Sequence, residues 1–207
     1  MDWQTLSYFL VASILLTITP GPDFMFVFAQ SVSQGKKAGL ATGLGLCTGL
    51  VGHTLAAAIG ISAIIYQSSL AFNVIKLAGA IYLLYMAVQA FRETSEPEEQ
   101  KSERYTSSAL YRKGIFMNLL NPKVSIFFLA FLPQFVAVGE GNIPVQMVVL
   151  GVLFIIQALV IFTLLSILAG SVGDRLWKNP VILTWVNRAK GLVFGYFAIR
   201  LLFEKNS

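Results

Sequence analysis

Two side chains of opposite charge, Asp23 and Lys123, each follow a proline inside an otherwise apolar run. The first stands in Pro20-Gly21-Pro22-Asp23, the second in Asn121-Pro122-Lys123, one hundred residues further on. A buried carboxylate can bind an ammonium group or carry a proton, and a buried ammonium can bind a carboxylate. Ionisable groups within apolar spans cost at least ~2.5 kcal/mol at the helix centre and mark function by default. Breaking a helix in lipid is also costly, because the freed backbone groups have no water to bond. Two such breaks at matching places in the two halves of a chain point to a binding site shared between them.

The prolines define what the breaks expose. Pro20 and Pro22 have no N–H to give the carbonyls of Leu16 and Ile18, and Pro122 frees the carbonyl of Asn118. A half-helix restarting after Pro22 offers N–H groups from about Asp23 to Phe26, a positive end suited to a carboxylate. The amides of Lys123 and Val124 are a second such end. Asp23, with the freed carbonyls of Leu16 and Asn118, suits an ammonium. Pro20, Gly21, Pro22, Asp23, Asn118, Asn121, Pro122 and Lys123 are therefore the candidate substrate-binding set. A pair of packing kinks, or an ion pair between Asp23 and Lys123, is the structural alternative.

His53, the sole histidine, lies near the middle of an apolar run. Gly45, Gly49 and His53 fall at i, i+4 and i+8 on one helix face, and the glycines admit a close neighbour. An imidazole there is a candidate proton carrier alongside Asp23, or a hydrogen-bonded packing residue. Gly35, Gly39 and Gly43 form a second small-residue stripe, read as helix packing, as are Gly45 and Gly49. Tyr82, Tyr85, Gln134 and Gln157 are further polar groups in apolar runs, with no position that argues for a role.

Positioning these residues falls to a polytopic bundle. The 207 residues are 56% hydrophobic and only 12% charged, with a mean hydropathy of +0.72, where a soluble domain is about a quarter charged. About 20 apolar residues cross the hydrocarbon, and six runs approach this: 5–28, 38–66, 72–91, 114–136, 145–170 and a weaker 185–203. The first has no Lys or Arg before it and reads as a retained span rather than a secretory signal. Lys36, Lys37, Arg92, Lys101, Arg104, Arg112, Lys113, Arg175, Lys178, Arg188 and Lys190 fall on one side, eleven of the fifteen basic residues. That side is expected to be cytoplasmic, with both termini outside. Residues 92–113 read as a solvated cytoplasmic connector, holding five of the ten acidic residues.

The expected fold is all-α: one transmembrane domain of six helices in two inverted three-helix repeats, the first helix of each broken by proline. Asn73-x-x-Lys76-x5-Tyr82 in the third span is echoed by Asn187-x-x-Lys190-x5-Tyr196 in the sixth. The pI near 9.4 follows from the flanking cations and does not indicate nucleic acid. A single cysteine, Cys47, excludes an internal disulfide and reads as packing. Metal carriage would require clustered Cys, His or carboxylates, and neither H-E-x-x-H nor G-x-S-x-G is present to suggest an enzyme.

These segments resemble the LysE/RhtB family of amino-acid exporters. The resemblance is carried by Thr19-Pro20-Gly21-Pro22-Asp23, the glycine-spaced second span with His53, and Leu77-Ala78-Gly79-Ala80-Ile81-Tyr82-Leu83-Leu84-Tyr85. Gly114-x3-Asn118-Leu119-Leu120-Asn121-Pro122-Lys123 and Leu132-Pro133-Gln134-Phe135 extend it through most of the first five spans. It implies a cytoplasmic-membrane exporter of amino acids or close derivatives, driven by proton exchange and nearer the homoserine/threonine branch. No cofactor is expected, and with one His, one Cys and one intramembrane Asp spread over two helices no metal site either; a carrier for another small solute or a metal ion is the alternative. Implied partners are the amino acid, protons and membrane lipid, and a homo-oligomer is left open.

Overall fold

A computed structural model describes residues 2–61, 69–92, 104–137, 139, 141–177 and 180–203. Every regular element among them is helical. Helix α1 (Trp3–Ile18) starts at Asp2, whose carboxylate accepts from the Thr5 N–H at 2.8 Å. It ends where Pro20 and Pro22 supply no donor. Helix α2 (Pro22–Gln34) restarts with proline in its first turn and stops at Gly35. Gly35 has φ of 85°, the left-handed region that glycine enters without a Cβ penalty, and it also leads into α3 (Lys36–Ala56). A π turn, Ala57–Ile61, prolongs α3, and α4 covers Ser69–Arg92.

The second half is also built around a proline break. Thr106 caps α5 (Ser107–Leu119), and Asn121 caps α6 (Pro122–Ile126). A π turn (Phe127–Phe131) and a 3-10 turn (Leu132–Phe135) extend α6. Helices α7 (Ile143–Trp177) and α8 (Pro180–Phe203) complete the chain.

The two proline breaks are bends of 55° between α1 and α2 and 48° between α5 and the segment from Pro122 to Phe135. By length and composition, three unbroken helices of the described residues can cross a membrane, and five if each bent pair is one span. The sixth run is helical within α8 but does not reach that mark.

Several boundaries differ from the sequence expectation. The connector 92–113 is not wholly irregular: Arg92 still belongs to α4, and α5 begins at Ser107 because the Thr106 hydroxyl accepts from the Ala109 N–H. Helix α7 runs past Gly170 to Trp177 and therefore includes Arg175. Proline suits a first helical position, where no donor is needed, and α8 accordingly starts at Pro180 rather than Trp185. Arg188 and Lys190 lie within this helix. Residues 62–66 of the second run and 93–103 of the connector lie outside the described residues.

Helices α1, α2 and α5 converge on α3 and α7, and α4 packs against α8. Phenylalanines fill the space between α1, the Pro122–Phe135 segment and α7. Phe9 stands 5.3 Å from Phe135, and Phe128 stands 5.2 Å from Phe154, ring centre to ring centre. Such edge-to-face and tilted aromatic pairs are worth about 0.5–1.5 kcal/mol beyond their burial.

Candidate functional site

Asp23 and Lys123 are 4% and 3% exposed, so both breaks carry their charges inward. They line one cavity with Leu16, Thr17, Leu50, Asn118, Val124, Phe154, Ala158 and Phe162. The cavity is about 20 Å³, room for one water molecule. An amino acid needs several times that space, so this is a closed arrangement of the helices.

Each break is completed by a residue from the other. The Lys123 ammonium donates to the carbonyls of Leu16 and Thr19, at 3.1 Å each. It neutralises the C-terminal, negative end of α1, where those carbonyls lack helical donors. In the opposite direction, the Asn118 side-chain amide donates to Asp23 Oδ2 at 2.7 Å. Asp23 Oδ1 is buried and has no hydrogen-bond partner among the described residues. Burying a carboxylate oxygen unbonded is costly, so Oδ1 is the site's strongest unmet acceptor.

The freed carbonyls go elsewhere than the sequence suggested. Leu16 is taken by Lys123, and Asn118 accepts from the Asn121 N–H and lies 3.0 Å from His53 Nε2. A carbonyl can only accept, so Nε2 carries a hydrogen and Nδ1 is left as the second ring position. The half-helix N-termini are also narrower than expected. Met25 N–H already bonds Gly21 at 2.9 Å, which removes Met25 and Phe26 from the exposed set. Asn121 Oδ1 accepts from the Lys123 N–H at 3.0 Å, capping that end internally.

Glycines on α3 permit this closeness. A Cβ at Gly49 would stand 2.7 Å from Asn118 Oδ1, and one at Gly45 would collide with the Tyr111 carbonyl. With His53, these residues form one stripe against α5. Gly39 faces Ser31 and Ser166, and Gly43 faces Phe162. Pro20, Gly21 and Pro22 form the turn itself, with Gly21 3.1 Å from the Lys123 ammonium by its would-be Cβ.

Gln157 on α7, marked in the sequence only as a polar group in an apolar run, is joined to the site through Thr17. Its amide donates to Thr17 Oγ1 at 2.9 Å and lies 3.4 Å from the Ser13 carbonyl. It braces α1 as His53 braces α5. Its spacing from the breaks marks nothing, because its partners are 140 and 144 residues away.

The description "LysE type translocator" matches residues 14–205, nearly the whole chain. The chain belongs to the LysE-type translocator family. Proteins of this family are transporters, and the apolar helices here are those of a membrane protein. The translocator is 30% identical over 187 residues to a homoserine/homoserine lactone efflux protein of Salmonella typhimurium, covering 90% of each chain. It is 33% identical over 196 residues to an uncharacterized membrane protein of Vibrio cholerae, covering 94% of each. A Bacillus subtilis membrane protein, YrhP, is 31% identical over 205 residues, with 94% and 96% covered. No solved structure matches.

Proposed function

We propose that this translocator exports small neutral amino acids or close derivatives, homoserine-like in size, in exchange for protons. One observation carries the reading: Asp23, whose Oδ1 is buried with no hydrogen-bond partner among the described residues, lines one cavity together with Lys123. A zwitterion presents one ammonium and one carboxylate at fixed separation. Its ammonium would take Asp23, and its carboxylate would draw Lys123 from the Leu16 and Thr19 carbonyls. Ammonium and proton compete for the same carboxylate, so Asp23 binds one or the other, which is the logic of an antiporter. His53 is the second candidate for the proton, joined to Asp23 through Asn118.

Alternating access around this site requires the α1–α2 and α5–α6 units to separate on one side at a time. The reading includes six spans in two inverted repeats, both termini outside the cytoplasmic membrane. Charge placement supports that orientation. The packing supports the repeat: α3 lies against α5 as α7 lies against α1, and α4 pairs with α8. The efflux function named for the Salmonella relative supports the substrate class.

The test is export itself. A bacterial host overproducing the translocator is challenged with inhibitory homoserine, threonine and other neutral amino acids. Resistance with extracellular accumulation, abolished when the proton gradient is collapsed, is expected for at least one. No resistance across the set would overturn the substrate class, and resistance indifferent to the gradient would overturn the coupling.

A further inference from the structure

Two cations clamp the broken helices together on opposite sides of the cavity. Lys113, on α5, lies 5.1 Å from the Phe26 ring of α2 and 4.6 Å from the Tyr105 ring. Its ammonium is also 3.5 Å from Tyr105 Oη, and the Tyr105 N–H donates to Gln34 at the end of α2. Arg200, on α8, lies 5.7 Å from both the Tyr8 ring of α1 and the Phe135 ring that ends the second broken helix. Each cation therefore bridges one segment of the first broken helix to one of the second.

Position along the helices places the clamps on either side of the site. Phe26 is three residues beyond Asp23, roughly 4.5 Å of helix rise, and Lys113 is five residues before Asn118. Tyr8 is eight residues before Leu16, roughly 12 Å in the other direction. The two sides are unequally sealed. Beside Arg200, the outer segments also share buried phenylalanines, with Phe9 packed on Phe127 and Phe135. The inner segments, α2 and α5 with the residues leading into it, are tied by polar links instead: the Asp23–Asn118 hydrogen bond, the Lys113 clamp and the Gln34–Tyr105 bond.

We propose that the Lys113–Phe26–Tyr105 and Arg200–Tyr8–Phe135 clusters are the two gates of the transport cycle. The Lys113 cluster is the thinner one and opens first. Cation–π pairs suit a gate because a ring can leave a cation without stranding a buried hydrogen bond, and water replaces the ring. The inference takes the site and the alternating-access scheme from the proposed function, but it does not depend on which solute is carried.

The experiment reads access, not transport. In a Cys47→Ala background, Thr17→Cys puts a thiol on the cavity wall, and a membrane-impermeant maleimide is applied to right-side-out and inside-out vesicles. Lys113→Gln and Tyr105→Leu are expected to raise the labelling rate about fivefold for each cation–ring pair removed, from one face only. Tyr8→Leu, an exposed position, should raise it from the opposite face. Lys113→Arg and Tyr105→Phe keep cation and ring and should label as the parent does. Labelling raised from both faces by one substitution, or unchanged by Tyr105→Leu and Tyr8→Leu, overturns the gates. Correct gating at exchanged faces would leave the gates standing and reverse the proposed orientation, and a failed export assay with normal gating would refute the substrate alone.

Discussion

Removing both buried charges should cost clearly less stability than the two single removals added together, without restoring transport. Lys123→Met keeps the stem volume but leaves the Leu16 and Thr19 carbonyls without their donor, at about 1–3 kcal/mol each. It also leaves Asp23 as an uncompensated buried charge. Asp23→Asn can still accept from Asn118, yet it strands the ammonium. Stranding one member of a buried pair costs about 3–5 kcal/mol, or roughly 6–20 °C in Tm at about 2–4 °C per kcal/mol. Across a cavity one water wide, opposite charges attract by about 3–4 kcal/mol at an effective dielectric near 20. The double variant should therefore recover roughly 2–3 kcal/mol relative to the sum of the singles. Thermal unfolding of the purified protein in detergent measures the cycle, and efflux from proteoliposomes measures activity. Additivity within about 0.5 kcal/mol would refute the electrostatic link. Native-rate efflux by the double variant would refute the assignment of these charges to the substrate.

Two further outcomes follow from the packing and from the first cap. Gly49→Ala places a Cβ 2.7 Å from Asn118 Oδ1 and should displace the side chain that holds Asp23; efflux should fall at least ~10-fold with Tm lowered by only a few degrees, and unchanged efflux would detach Asn118 from the cycle. The Thr5 side chain and then its N–H hold the Asp2 carboxyl below its ordinary value of 3.8. A depressed carboxyl value means the cap is at full strength above about 3.8 and is lost as pH falls through the lower, folded value. Hydrogen exchange at Thr5 should accelerate across that acidic window, beyond the intrinsic trend, and Asp2→Ala should remove the transition.

The breaks were legible because proline announces its missing donor wherever it stands. Pro20, Pro22 and Pro122 fixed where α1 and α5 had to end, and the i, i+4, i+8 spacing aligned Gly45, Gly49 and His53 correctly on one face. What satisfies each break was not legible. Lys123 reaches Leu16 across 107 residues and Asn118 reaches Asp23 across 95, and nothing in local periodicity selects such partners. The sequence therefore offered Leu16 and Asn118 carbonyls to a ligand, whereas protein donors occupy both. Helix ends inside polar segments were equally hidden: the Thr106 cap and Pro180 set boundaries that hydropathy blurs.

The reciprocal completion of the breaks has a consequence for synthesis. At about 5–20 residues per second, Lys123 emerges roughly 5–20 s after Leu16. Through that interval the Leu16 and Thr19 carbonyls lack the ammonium that completes them. A chain whose synthesis has not yet passed Lys123 therefore carries an uncompleted break at the end of α1. A chain truncated before Lys123 lacks that donor altogether.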